Sequence, residues 1–290
     1  MLANQYTAIS NKETNPKAEK DTNINSINNI LKLGDIVIEG KSKKFYEVYT
    51  YEGELLNDTL FMTFKPHLRS VTSKREGNIK GTDLERLYVT NYIFEKLESV
   101  GIPTHRIVSE HGDKHGIIKT NGMQGMFVHK TKTIPIEFIV RYYAAGSIVR
   151  LYPSLVKPNM RFNKPLYKYD LKQDVSVAGV DDPTLNESYI VGLGLLTQNQ
   201  LDIARGMLEN IGDYVRKILH KGEMDLVDMK MEFGFNSEGS IVLIDEISQD
   251  CIRANDTYTW EAMTKDAYRN MKSDEEVLKK YTEFRNRIIG

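Results

Sequence analysis

Residues 227–256, VDMKMEFGFNSEGSIVLIDEISQDCIRAND, constrain the fold more than any other stretch of the chain. Val227, Met229, Met231 and Phe233 are apolar and alternate with Asp228, Lys230 and Glu232. A period of two belongs to a strand with one face on a core. A polar segment bounded by Gly234 and Gly239 follows, then an apolar run at 241–244 that ends in Asp245 and Glu246. Two such runs about a short glycine-bearing turn predict a hairpin. On or near one surface it carries Lys230 and the carboxylates of Asp228, Glu232, Asp245 and Glu246. Pooled carboxylates hold a hard divalent cation, and a lysine neutralises phosphate. On an arbitrary hairpin the same charges describe a solvated face. Acids at the end of the most apolar strand favour a cleft, where buried strands deliver their terminal side chains.

The 290 residues suffice for one large domain or two tightly joined lobes. A formal net charge of -1 gives no electrostatic case for a nucleic-acid or membrane partner. No apolar run approaches the roughly 18 residues of a membrane span. The N-terminus lacks the apolar core of a signal peptide. The one cysteine, Cys251, excludes an intrachain disulfide and fits a reducing, cytoplasmic setting. The sequence leaves the oligomeric state open, so a homo-oligomer is compatible with it.

Residues 1–32 are rich in Asn, Lys, Thr and Glu and read as a flexible polar leader, too poor in apolar anchors to offset ordering entropy. Strands are expected at 35–39, 45–50 and 58–64. The turn between the first two carries Lys41, Lys43 and Lys44 after Gly40, which suits either a phosphate-covering hairpin or a lysine-rich surface turn. Residues 65–80 read as a basic loop with Pro66 and Gly77 as breakers. The pattern at 83–100 predicts a helix that Asp83 caps and Gly101 ends. Short strands are expected at 102–108, 116–119 and 126–129. The histidines there fall at no metal-binding spacing and read as structural or exposed. A strand at 133–141 ends in Arg141 and runs into Ala144-Ala145-Gly146-Ser147 before a short helix at 148–151. Small residues and a serine at a helix start suit an anion, and Arg141 reaches the same space; an ordinary capped helix accounts for the residues equally. Residues 152–168 read as irregular, 181–187 as an acidic turn, 198–221 as a long helix ended by Gly222, and 260–287 as a helix broken near Ser273. Strand-rich, then mixed, then helical segments predict an α+β fold of two lobes with a cleft. The β-rich lobe is expected at 33–130 and the α+β lobe at 131–290.

In order, GKSKKFY at 40–46, EKLESVGIPTH at 95–105, IEFIVRYYAAGS at 136–147, DDPTLNES at 181–188, VDMKMEFG at 227–234 and DEISQD at 245–250 with Arg253 resemble the SAICAR synthetase (phosphoribosylaminoimidazole-succinocarboxamide synthase) family. The likeness runs over nearly all of 34–287. It implies two lobes with ATP in the cleft between them, the smaller lobe antiparallel and β-rich. It also implies an ATP- and Mg2+-dependent amide ligase of purine biosynthesis, in which a ribotide carboxylate is activated as an acyl phosphate and attacked by an amino acid, aspartate in the family. By motif position, Lys41 and Lys43 would meet the ATP phosphates and Lys172 and Glu232 the nucleotide. Asp245 and Glu246 would serve the metal, Lys230 and Asp228 the chemistry. Arg141, Ser147 and Arg253 would hold the ribotide phosphate, and Asp182 and Asn186 would line the cleft.

Three segments depart from the family pattern. His67 stands where an acid is usual, 83–87 replaces a Gly-x-x-Asn-Asn stretch, and Arg253-Ala254-Asn255-Asp256 replaces Arg-Leu-Trp-Asp. With Arg69, Lys74 and Arg75 nearby, that wall is expected to be more basic, which would suit a more anionic acid or a different amine. The sequence therefore leaves open the family's own substrates, altered ones, as in specialised or phage nucleotide metabolism, or an ATP-binding protein without turnover.

Overall fold

The computed structural model describes residues 32–70, 73–109, 112–172 and 183–290. The expected leader lies outside them apart from Lys32. The chain opens with antiparallel strands β1 (Lys32–Glu39), β2 (Lys43–Tyr49) and β3 (Leu55–Phe64). A ribbon of β4 (His67–Ser70) and β5 (Arg75–Asn78) leads into α1 (Thr82–Glu98). Then β6 (Ile118–Thr120) and β7 (Met123–His129) complete a five-stranded sheet in the order β1-β2-β3-β7-β6.

The second sheet begins at β8 (Lys132–Tyr143). It is followed by α2 (Ser147–Leu151), β9 (Arg161–Leu171), β10 (Thr184–Leu185), α3 (Glu187–Gly192) and α4 (Gln198–Lys221). Next come β11 (Met224–Phe235), β12 (Ile241–Ile244), β13 (Ile252–Asp256), α5 (Asp266–Arg269) and α6 (Asp274–Ile289). Its order is β10-β9-β8-β11-β12, and β13 also pairs with β11. Every pairing within these two sheets is antiparallel. The mixture of helices and antiparallel sheets is α+β.

One core runs through both sheets. Leu60, Met62 and Phe64 of β3 join Leu87 and Phe94 of α1, Phe138 and Val140 of β8, Met229 and Phe233 of β11, and Leu208 and Val215 of α4. Apolar residues recur at helical spacing in α4, and the capping box of Thr197 and Gln200 fixes its start. The C-terminal helix crosses back to the first half: Arg285 of α6 pairs with Glu85 of α1 at 3.0 Å.

Several expectations are corrected. Residues 65–80 form the β4–β5 ribbon rather than a loop, because Leu68 and Ile79 are buried against Ala267, Tyr268, Val277 and Tyr281 of the C-terminal helices. Two apolar anchors in a polar stretch leave no periodic signal. Helix α1 is preceded by Gly81 in the left-handed region, and Asp83 sits inside its first turn, where its carboxylate accepts from the Gly81 N–H at 3.0 Å. Among residues 102–108 there are only isolated bridges, Thr104 to Leu243 and Arg106 to Val128. Strand β9 occupies the second half of the expected irregular segment; its outward face is polar because only one side meets the core. Residues 252–256 form β13, and the last helix begins at Ser273, whose capping box with Glu276 starts α6.

Gly125 of β7 pairs with Thr63 of β3 where the strands meet closely. A Cβ there would lie 2.4 Å from the Met62 carbonyl oxygen and 2.7 Å from the Phe61 ring. Gly125→Ala is expected to cost about 1–3 kcal/mol of stability by overpacking, read as a lower urea midpoint at unchanged slope.

Candidate active site

Strand register assembles the site. Asp228, Lys230 and Glu232 of β11 pair with Arg141, Ile139 and Glu137 of β8, and paired residues share a face. Glu137 in turn pairs with Asp170, Ile139 with Lys168 of β9, and Asp228 with Arg253 of β13. One face of the sheet is therefore a charged row, while Met229, Met231 and Phe233 are buried on the other. Strands β12 and β13 both pair with β11, the first beside 232–235 and the second beside 224–229. The loop between them returns to the middle of β11, where the Lys230 N–H donates to the Cys251 carbonyl at 2.9 Å.

At one end of the row lies Glu246, 4% exposed. Arg86, fully buried on α1, donates to both of its oxygens, Nε to Oε2 at 3.1 Å and Nη2 to Oε1 at 2.6 Å. Lys43 Nζ lies 2.7 Å from Glu246 Oε1 and 2.8 Å from Asp245 Oδ1. The Ser248 hydroxyl also donates to Glu246. Burial alone would push the Glu246 carboxyl up, but Arg86 and Lys43 outweigh it and hold it well below the usual carboxylate range. Burial likewise works against the Lys43 ammonium, and Asp245 and Glu246 reverse that. Asp245 holds a left-handed backbone, φ 69°, a conformation that side chains other than glycine adopt at a cost. Next along, Lys230 reaches Glu232 at 2.7 Å and Glu137 at 3.1 Å, and Lys172 donates to the other Glu232 oxygen. Burial raises the Glu232 carboxyl, Lys230 and Lys172 lower it, and it ends at about 2.

At the other end, Asp228 is held between two guanidiniums. Arg141 Nε donates at 3.0 Å, and Arg253 Nη1 meets both oxygens at 3.1 and 2.8 Å. A cavity of about 120 Å3 opens here, lined by Arg141, Asp228, Lys230, Asp250, Arg253 and Arg269 among others. Gly146, φ 62°, lets the chain before Ser147 run beside Arg253; a Cβ there would sit 3.2 Å from its Nη1. Register and this turn thus bring Arg141, Arg253 and the Gly146-Ser147 segment to one place.

Asn186 caps α3, its side chain accepting from the Tyr189 N–H at 2.9 Å and from Ser188 Oγ at 2.6 Å, so its carbonyl oxygen is engaged locally. Asp182 lies outside the described residues. Lys41 is exposed in the β1–β2 turn. On the basic wall, His67 Nε2 and Arg69 Nε face Glu76 at 3.2 and 3.5 Å, Arg75 stacks on Tyr268 and pairs with Asp274 at 2.7 Å, and Lys74 is exposed. Sequence reasoning missed Arg86, inside a segment noted only for its departure. The available signal was a polar stripe, Thr82, Arg86 and Thr90 at a spacing of four, buried on α1.

The donor set suits a magnesium ion held jointly with phosphates. Among the described residues, no group of three or more His, Cys, Asp or Glu converges as a cage. Magnesium takes one or two carboxylates and completes its shell with water and substrate phosphate. Asp245, 19% exposed at its side chain and ion-paired only with Lys43 among the described residues, fits that role. Glu246 does not, because its oxygens are occupied by Arg86, Lys43 and Ser248; as an expected metal ligand it is corrected to an anchor for cations.

Because the Glu232 pKa is depressed in the folded chain, its contribution to stability is complete above the ordinary carboxylate range and is lost as pH falls from about 4.5 toward about 2. Urea midpoints should fall through that window, and Glu232→Gln should flatten the profile there. Arg86→Met leaves a buried carboxylate without its main partner and should cost about 3–5 kcal/mol. Adding Glu246→Leu should recover much of that loss in urea unfolding without restoring activity.

A SAICAR synthetase family model matches residues 36–287. The phosphoribosylaminoimidazole-succinocarboxamide synthase of Wigglesworthia glossinidia brevipalpis is 32% identical over 259 residues, 89% of this chain and 97% of that one. A solved SAICAR synthetase (Type-2) in complex with ADP superposes with a TM-score of 0.73 at 27% identity, covering 89% of this chain and 97% of its own. The corresponding synthase from Ehrlichia chaffeensis gives a TM-score of 0.74 at 24% identity over 88% and 98% of the two chains, a likeness of fold.

Proposed function

The chain belongs to the SAICAR synthetase family, and from that premise we propose that its charged row runs the family's reaction, ATP-dependent ligation of a ribotide carboxylate to an amino acid. The enzyme is a C–N ligase that uses ATP, and its reaction belongs to purine biosynthesis. One observation carries the residue assignment: a single strand, β11, joins a lysine–carboxylate cluster at Glu232 to a paired-arginine pocket at Asp228. Four residues of strand span about 13 Å. That separation accommodates a ribotide with its carboxylate toward one cluster and its phosphate in the other.

At the Glu232 end, Lys43, Lys41 and Lys172 face the polyphosphate. Ile38 pairs with Phe45 on the side of the hairpin that carries Lys43, and is 53% exposed, a surface for the base. Asp245 would hold a magnesium ion, which would supply positive charge to offset that of the phosphoryl group. The substrate carboxylate attacks the γ-phosphorus, the bond to the β-bridging oxygen breaks, and ADP leaves. The amine then attacks the acyl phosphate carbon, loses a proton, and phosphate departs as the C–N bond forms. Burial works against the Lys230 ammonium, but Glu232 and Glu137 keep it charged, so it acts by electrostatics rather than as a base. Asp228 positions Arg141 and Arg253, which with the Ser147 turn clamp the ribotide phosphate.

The test is ADP release with carboxyaminoimidazole ribotide, with and without aspartate. Turnover should require both, and Asp245→Asn should lower kcat by at least about 100-fold. Arg253→Met should raise KM for the ribotide while leaving KM for ATP near its original value. No ADP release with that acid under any amine would overturn the substrate assignment. Undiminished activity in Asp245→Asn would overturn the metal assignment.

A further inference from the structure

We propose that a second cavity, outside the catalytic cleft, binds a nucleoside phosphate. The cavity measures about 580 Å3 and lies between the ends of α4 and β8 and the starts of β9 and β11. Small-molecule sites span about 300–1,000 Å3. Five cationic or titratable bases line it: Arg161 from β9, and Arg216, Lys217, His220 and Lys221 from α4. Among the described residues none of the five enters an ion pair, whereas Arg141, Arg253, Lys43 and Lys230 of the cleft are all paired. Asp225 is the acid of the lining, and it accepts from Tyr143 at 3.4 Å. Like charges gathered about a cavity repel one another, and an anion relieves that repulsion.

The remaining wall selects a flat ring. Tyr142, Tyr143, Phe162 and Tyr214 line the same space. The Arg216 guanidinium already lies over the Tyr142 ring at 5.2 Å, so a planar cation and aromatic faces are arranged together. Cations for phosphate and aromatic faces for a base, in one cavity of this size, match a nucleoside phosphate better than inorganic phosphate or an apolar ligand. The cavity shares no lining residue with the Arg141–Asp228–Arg253 pocket, yet it is built on the same strands. Tyr143 lies two residues beyond Arg141, and Asp225 three residues before Asp228.

The molecule carries its own reporter. The chain has a single tryptophan, Trp260, and its ring is 5.0 Å from that of Tyr143. Titrating the full chain with ADP by calorimetry should give two molecules bound per chain, one transition coinciding with a change in Trp260 emission. The charge reversal Arg216→Glu/Lys217→Glu should weaken the Trp260-reported site by at least about tenfold while kcat stays unchanged. Arg161→Glu, on a different element, should weaken the same site. One ADP per chain in the wild type, or charge reversals on both elements that leave the Trp260-reported affinity unchanged, would overturn the proposal. Neither result bears on the catalytic cleft, whose ADP binding is read separately by turnover.

Discussion

A carboxylate that is 4% exposed cannot stay ionised unless cations surround it, and Glu246 is such a carboxylate. Its cations come from far away in the chain, Arg86 from α1 and Lys43 from β2. Both pack over the ring of Phe64, at 5.2 and 5.5 Å. This carboxylate therefore ties α1 and β2 to the segment that follows β12. Networks of this kind add little net stability over well-packed apolar groups, because desolvation offsets the attraction. The same contact that completes Glu246 leaves the Lys43 ammonium aimed at Asp245 before any substrate arrives.

Strand β11 extends that order across the site. It carries charge on one face and core on the other, so its register sets the spacing between the two clusters, and a one-residue slip would bury the charges. The short β12 and the later β13 share its length, and the loop between them is forced back over Lys230. Asp245 leaves β12 through a left-handed turn that places it between Lys43 and the charged row.

The alternation in β11 was legible in the sequence because period two needs only neighbours along one strand. The same is true of α4, where apolar spacing and Gly222 mark a helix and its end. The short helix α3, the ribbon at 67–78 and strand β13 were not legible. Leu68 and Ile79 matter because they meet Tyr268 and Tyr281, about 200 residues away in sequence, and no local window contains that fact. Lys230, Glu232, Arg141 and Arg253 could be nominated from residue type and motif. That Glu246 anchors cations and Asn186 caps a helix depended on neighbours, Arg86 in one case and the Tyr189 N–H in the other.

The departures from the family pattern acquire a different meaning from the same contacts. In the segment at 83–87, Arg86 supplies the charge that Glu246 needs, and Glu85 meets Arg285. At 253–256, Arg253 keeps its grip on Asp228. Ala254 is buried in the core, and Asp256 accepts from the backbone of Tyr258 and Thr259 while pairing with Arg287 at 2.7 Å. In the ribbon, Glu76 answers His67 and Arg69, and Asp274 answers Arg75. These side chains hold parts of this protein to one another, with Glu76 shared by His67 and Arg69, and Lys74 enters no ion pair among the described residues. A more anionic acceptor would need free positive charge on that wall, and Lys74, exposed and outside every ion pair among the described residues, is the cation placed to supply it.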